Sequence, residues 1–277
     1  MTSLRPHQFQ DQLRLKKRRW RLKKLGLLAG AVFLLAGLAV YLLFFAGLFE
    51  IRAVEINGSA DSVKADTEQV VSSWLDEKSF VFRHRSNSVI FSPAQLSAKL
   101  IGSLPRIESL EIRRESRHKL KINIIERRPI GVWCLTWKQE CYFFDKNTVA
   151  YEKAGVSEGF ILTLVNDRRE REMKIGSAVA SKDWLNNIIG AKELLQKNGL
   201  EIASFSIPDN SLNEFSARVV EDRSDARANW QILFNNGTNI PQQINSLINL
   251  LKNKLTKGQR AKLQYVDLRI QDRIYWK

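Results

Sequence analysis

The sequence predicts an α+β protein with one N-terminal transmembrane helix, then a β-α-α-β-β domain, then a C-terminal β-rich domain with two packed helices. Three observations carry this. An uncharged apolar run, Leu25 to Phe49, lies near the start and is long enough for a membrane. Two amphipathic stretches with helix-start signals follow, framed by segments that alternate apolar and polar residues. Beyond residue 130, short alternating segments bounded by turn residues predominate, and only two helical patterns interrupt them.

Residues 1–24 hold nine basic residues against one acid, Asp11, so this tail carries more than half of the formal charge of +15. The run after it would be about 37 Å long as a helix, at about 1.5 Å per residue, against a hydrocarbon core of about 30 Å. A cleaved signal peptide would have an apolar region of about 7–15 residues ending at a small-residue site. This run is longer and ends Gly47-Leu48-Phe49. The positive-inside rule then puts residues 1–24 in the cytoplasm and residues 50–277 outside. The basic cluster should also rest on the anionic headgroups of the lipid bilayer. Topology already accounts for the charge, so no specific nucleic acid is expected; a membrane-tethered DNA-binding arm is the weaker alternative. Gly26 and Gly30 form a G-x-x-x-G that either lets another helix approach closely or is two incidental glycines.

Outside the membrane, residues 51–56 read as a strand closed by Asn57-Gly58. Asp66 and Gln69 resemble a capping box, followed by Val70, Val71, Trp74 and Leu75, which predicts a helix over 66–77. Ser92-Pro93-Ala94-Gln95 opens a second helix with Leu96, Leu100 and Ile101 on one face, ended by Gly102 and Pro105. Leu110 and Ile112, then Leu120, Ile122 and Ile124, alternate with polar residues and predict two half-buried strands joined at 116–118.

In the last part, strands are expected around 131–136, 140–144, 148–151, 160–164, 200–207, 213–220, 229–235 and 263–270. One helix carries Trp184, Leu185, Ile188, Ile189 and Leu195, opened by Ser181 and stopped by Asn198-Gly199. The other carries Ile244, Leu247, Ile248, Leu251 and Leu255 between Pro241 and Lys257-Gly258. Both stripes are core-forming and imply no ligand.

The chemistry-bearing residues are few. Cys134 and Cys141 flank a short hairpin sequence and are either bridged or two free thiols. Two Cys and three scattered His lack metal-ligand spacing. No G-x-S-x-G, H-E-x-x-H or phosphate-cradling glycine loop occurs, so neither an enzyme nor a cofactor is expected. Arg83-His84-Arg85 reads as a solvated basic face, and the mixed-sign run 167–172 as an exposed loop.

Several motifs together resemble one family. They are Val54-x-Ile56-x-Gly58, Leu104-Pro105-Arg106-Ile107-Glu108 leading into Leu110-x-Ile112-x-Arg114, and Leu120-x-Ile122-x-Ile124-x-Glu126-Arg127-x-Pro129-Ile130-x-Val132-Trp133. Further along come Phe144-Asp145, Ile175-Gly176, Trp230-x-Ile232-x-Phe234-x-Asn236-Gly237 and Tyr265-Val266-Asp267-Leu268-Arg269. The set resembles the FtsQ/DivIB family of bacterial cell-division proteins, with the Glu-Arg-x-Pro step its most specific element. Residues 115–119 depart from the tryptophan-proline turn usual there. The resemblance implies a POTRA domain over 50–128, an FtsQ-type β domain over 129–277, and a non-enzymatic, single-pass scaffold of the divisome in the cytoplasmic (inner) membrane, enriched at the septum. The competing expectation is a POTRA-bearing secretion component that handles client polypeptides, although no succession of barrel strands follows.

The same resemblance implies partners of the FtsB/FtsL type at the C-terminal sheet edge and other divisome proteins at the POTRA domain. The residues expected at that edge are Tyr265, Arg269, Ile270, Arg273, Ile274, Tyr275 and Trp276. Tyr275 and Trp276 would be anchors, with Arg269, Arg273 and Lys277 supplying a positive rim. The alternative is that both aromatics only cover the end of the sheet.

Overall fold

A computed structural model describes residues 6–44, 47–80, 83–155, 162–211, 213–221 and 229–277. It is an α+β protein with an apolar N-terminal helix and a large β-sheet domain. Helix α1 runs unbroken over Pro6–Phe44, so the basic segment continues the helix. Pro6 is tolerated because the first turn lacks amide partners anyway. Its stretch Leu22–Phe44, 23 residues with a mean hydropathy of 2.5, is long and apolar enough to cross a membrane. The apolar run was expected to be helical as far as Phe49, but residues 47–49 form a turn and the described helix reaches Phe44. Gly47 takes φ 64° and accepts the amide of Glu50 at 3.3 Å, a turn that a continued helix could not contain.

The chain divides into two compact units, residues 1–100 with 110–123, and residues 101–109 with 124–277. The elements over the first unit and its continuation are β1 (Ala53–Asn57), α2 (Asp61–Asp76), β2 (Lys78–Phe80), β3 (Arg83–His84), α3 (Pro93–Ser103), β4 (Ile107–Arg114) and β5 (Lys119–Glu126). β1 pairs in parallel with β5, with Val54 opposite Leu120 and Ile56 opposite Ile122, and the sheet order is β1-β5-β4. Buried Ile56, Leu120 and Ile122 share this unit with Val63, Val71, Trp74, Leu96 and Leu100 of the two helices.

The expected β-α-α-β-β order is corrected in one respect. The two-stranded β2–β3 hairpin lies between the helices, and strands of three and two residues are too short to show an alternation. Helix α2 also starts at Asp61, not near Asp66. Val63, Thr67 and Val71 extend the buried stripe one turn further back, which outweighs the apparent capping box. Arg85 is no solvated cation: it pairs with Glu77 at 3.0 Å and lies over the Trp74 ring at 4.9 Å. The side chains of Arg83 and His84 lie outside the described residues.

The second unit is built on nine strands. They are β6 (Gly131–Leu135), β7 (Glu140–Phe144), β8 (Ala150–Ala154), β9 (Thr163–Asp167), β10 (Glu201–Ile207), β11 (Glu214–Val220), β12 (Asn229–Asn235), β13 (Tyr265–Asp267) and β14 (Tyr275–Trp276), in the order β14-β13-β12-β11-β10-β9-β6-β7-β8. Helices α4 (Lys182–Lys197) and α5 (Ile240–Asn253) cover one face, and a short α6 (Lys257–Arg260) was not anticipated. The Ser181 side chain accepts from the amide of Trp184, so the anticipated cap exists, and Asn239 caps α5 in the same way. Trp133, Val165, Phe205, Phe215, Ile232 and Phe234 alternate inward from the strands against Leu185, Ile188, Leu195, Ile244, Leu247 and Leu251. The strand expected at 160–164 is β9, 163–167, with residues 160 and 161 outside the described set. The strand expected at 263–270 is only the three residues of β13, because the chain turns and returns as β14.

Two charged groups expected on the surface or left without a role are structural. Arg127 of the Glu-Arg-x-Pro step donates to buried Asp145 at 2.6 Å and to the carbonyl of Pro105 at 2.9 Å. Asp145 in turn accepts from the amides of Asn147 and Val149, both at 2.9 Å, and shapes the turn after β7. The run 167–172 is not wholly an exposed loop, because Asp167 is fully buried. Gly131 is also dictated by packing, since a Cβ there would overlap the Phe144 ring and the Thr163 carbonyl. Gly131→Ala is therefore expected to cost about 1–3 kcal/mol, read as a lowered urea midpoint of the full chain in detergent. An unchanged midpoint would mean that β6 and β9 separate freely.

Candidate binding edge of the large sheet

β14 is an outer strand of the nine-stranded sheet. Antiparallel pairing sets Trp276 opposite Val266 and Tyr275 opposite Asp267. Lys277 N donates to Tyr265 O at 3.2 Å, and Gln264 N donates to Lys277 O at 2.7 Å. Because antiparallel bonding alternates along a strand, the amide and carbonyl of Trp276 point away from β13. An edge of this kind can accept an added strand.

The two faces of β14 differ. Val266 and its β12 partner Ile232 are fully buried beneath the helices, so Ile274 and Trp276 lie on that same face. Ile274 packs against the core, whereas Trp276 remains 44% exposed and Tyr275, on the other face, 47% exposed. Trp276 lines a groove of about 380 Å³ with Ser246, Asn249 and Asn253 of α5. A second groove of about 530 Å³ continues along the helix past Asn239 and Gln242 to the turn at Ile270–Arg273. Asn239, Gln242, Ser246, Asn249 and Asn253 recur three and four residues apart, a stripe of uncharged polar groups beside the Ile/Leu stripe of the same helix. These helix residues were not among the expected site residues. Their spacing was the signal available, masked by the stronger apolar period.

Electrostatics change the expected rim. Arg269 donates to Asp267 through Nε at 2.9 Å and Nη2 at 2.7 Å, and through Nη1 to Glu214 at 2.8 Å. Burial would push the Asp267 carboxyl up, but the Arg269 hydrogen bonds and charge hold it below the usual carboxylate range. The hydrogen bonds to Asp267 and Glu214 in turn hold Arg269 more firmly protonated than an ordinary guanidinium. Arg269 therefore ties the end of β13 to β11 and is not a free cation of the rim. Exposed Arg273 and Lys277 keep that position, and Ile270 is 53% exposed at the turn. Tyr265 is half-buried on β13, with Gln231 as its β12 partner.

The remaining candidates lie elsewhere. Cys134 and Cys141 are directly opposite in the β6–β7 ladder and joined as a disulfide, with Cα atoms 4.0 Å apart. Gly26 and Gly30 lie on exposed α1, and a Cβ built at either meets nothing within 4 Å among the described residues. Neither the protein-family models nor the curated proteins compared with this chain match it.

Proposed function

We propose that this chain is a non-enzymatic, single-pass scaffold of the bacterial division machinery, of the FtsQ/DivIB type. In this reading its N-terminus is cytoplasmic, residues 50–277 are extracytoplasmic, and it is enriched at the septum. The reading rests on the sequence resemblance, and the apolar α1 behind a basic segment supports the topology. Strand order β1-β5-β4 with two helices supports a POTRA-type first domain, through which other divisome proteins would bind.

The observation that carries the binding function is the β14 edge, with outward-pointing Trp276 backbone groups and two half-exposed aromatics beside the α5 grooves. A bitopic coiled-coil partner of the FtsB type would add a strand there, with Tyr275 and Trp276 as anchors and Arg273 and Lys277 attracting acidic residues. The test is the affinity of full-length chain in nanodiscs for such a partner. Tyr275→Ala with Trp276→Ala is expected to leave the fold intact and cost at least about 2 kcal/mol, close to thirtyfold in Kd. Unchanged affinity in the folded double variant would move the interface away from this edge.

A further inference from the structure

We propose that the base of the first unit is a second membrane contact, one that takes the anionic phosphate headgroups of the leaflet from which α1 emerges. It rests on α1 crossing a bilayer.

The base is fastened to the end of that helix. The Asn87 side chain, 6% exposed, donates to the carbonyl of Leu43, one residue before the helix stops, at 3.1 Å, and its Oδ1 accepts the amide of Val89 at 2.8 Å. Ser88 N donates to Phe49 O at 2.6 Å, and Ile51 N to Ser86 O at 2.8 Å. On the far side of Glu50–Arg52, the β4–β5 turn is held just as closely. His118 O accepts from the amides of Arg52 and Ala53 at 2.9 and 3.0 Å, and the His118 ring meets Glu50 O at 2.8 Å. Three segments distant in sequence are thus drawn to the level at which the helix leaves the bilayer.

Their exposed side chains suit a headgroup layer. Leu48 and Val89 are 51% and 44% exposed at this base, and large apolar groups there would sit in the interface. Arg52, Arg114 and Arg117 are exposed around them. Arg52 and Arg117 make no ion pair among the described residues, while Arg114 donates to the carbonyl of Phe91 at 2.9 Å. The nearby acids are Glu50, Glu68 and Asp76, which line one groove with Arg52, and Glu115, which is already paired with Lys119 at 2.7 Å. Guanidinium groups bind phosphate oxygens in a bidentate manner, and a site reached without leaving the membrane surface needs little intrinsic affinity.

The test uses the full chain with Val89→Cys carrying a fluorophore, since Cys134 and Cys141 are joined and leave no competing thiol. The chain is reconstituted in vesicles of phosphatidylcholine alone or with about a third phosphatidylglycerol, each doped with headgroup spin-labelled lipid. Quenching is expected to be about twofold stronger in the anionic vesicles and to fall back at high salt. Arg52→Glu with Arg117→Glu should abolish the difference, and the glutamine pair should reduce it, with tryptophan fluorescence unchanged. Equal quenching in both vesicles, or an undiminished difference in the charge-reversed variant, overturns the proposal. A chain that does not float with either vesicle overturns the anchor and the proposal with it.

Discussion

Asp167→Ala is expected to destabilise the second unit by about 3–5 kcal/mol, the usual scale for stripping one partner from a buried ion pair. The carboxylate is fully buried and accepts five hydrogen bonds. Trp133 Nε1 donates at 3.1 Å, Arg169 through Nε and Nη2 at 2.9 Å each and through its amide at 3.2 Å, and Arg171 Nε at 2.7 Å. Arg171 also donates to the Val179 carbonyl and lies over the Trp133 ring at 5.4 Å. Alanine would leave two adjacent guanidinium groups repelling each other and an indole N–H without an acceptor. The urea midpoint of the full chain measures this, and a shift below about 1 kcal/mol would mean that water replaces the carboxylate at little cost. The pH dependence has a definite sign. Burial pushes the Asp167 carboxyl up, but the Arg169 hydrogen bonds and both arginine charges outweigh it and hold it below its ordinary value. Its stabilisation is therefore fully present above the unfolded value of about 3.9 and is lost as pH falls through the lower folded value. Asp167→Asn should remove that part of the acid-induced loss.

Phe215→Ala should cost about 3–5 kcal/mol as well, through a cavity that its neighbours cannot close. Phe215 is 1% exposed at the middle of the sheet. Its ring stacks on Phe234 at 5.0 Å and meets Phe205 at 6.0 Å and Trp184 at 6.1 Å. Those rings belong to three different elements, so truncation loosens β10, β12 and α4 together. Phe215→Leu keeps much of the volume and should lose distinctly less under urea. Equal losses for the two variants would show that the ring contacts, and not the filled volume, supply the stability.

Of the candidate edge, the sequence made legible the aromatic pair Tyr275-Trp276 and a strand around 263–270. It did not disclose that β13 is only three residues long, that β14 folds back on it, or that Arg269 is held by Asp267 and Glu214. Glu214 lies 55 positions away on β11, and no local pattern encodes that partner.

By itself the sequence determined what depends on local periodicity and on transfer from water. This covers the presence of an apolar N-terminal helix, the Ser181 start of α4, the Pro241 start and Ile/Leu stripe of α5, and most of the alternation of β4 through β12, because each can be read within one or two turns of chain. Tertiary structure alone decided which charged groups are buried and which stretches too short for a period still pair. The run 167–172 is as polar as any loop, yet Asp167 enters the core because Trp133, Arg169 and Arg171 converge to satisfy it. The β2–β3 hairpin, the early start of α2 and the joining of the Glu50–Arg52, 86–89 and 113–118 segments at one base have the same origin. In each, contacts between residues far apart in sequence supply the free energy that local propensity lacks.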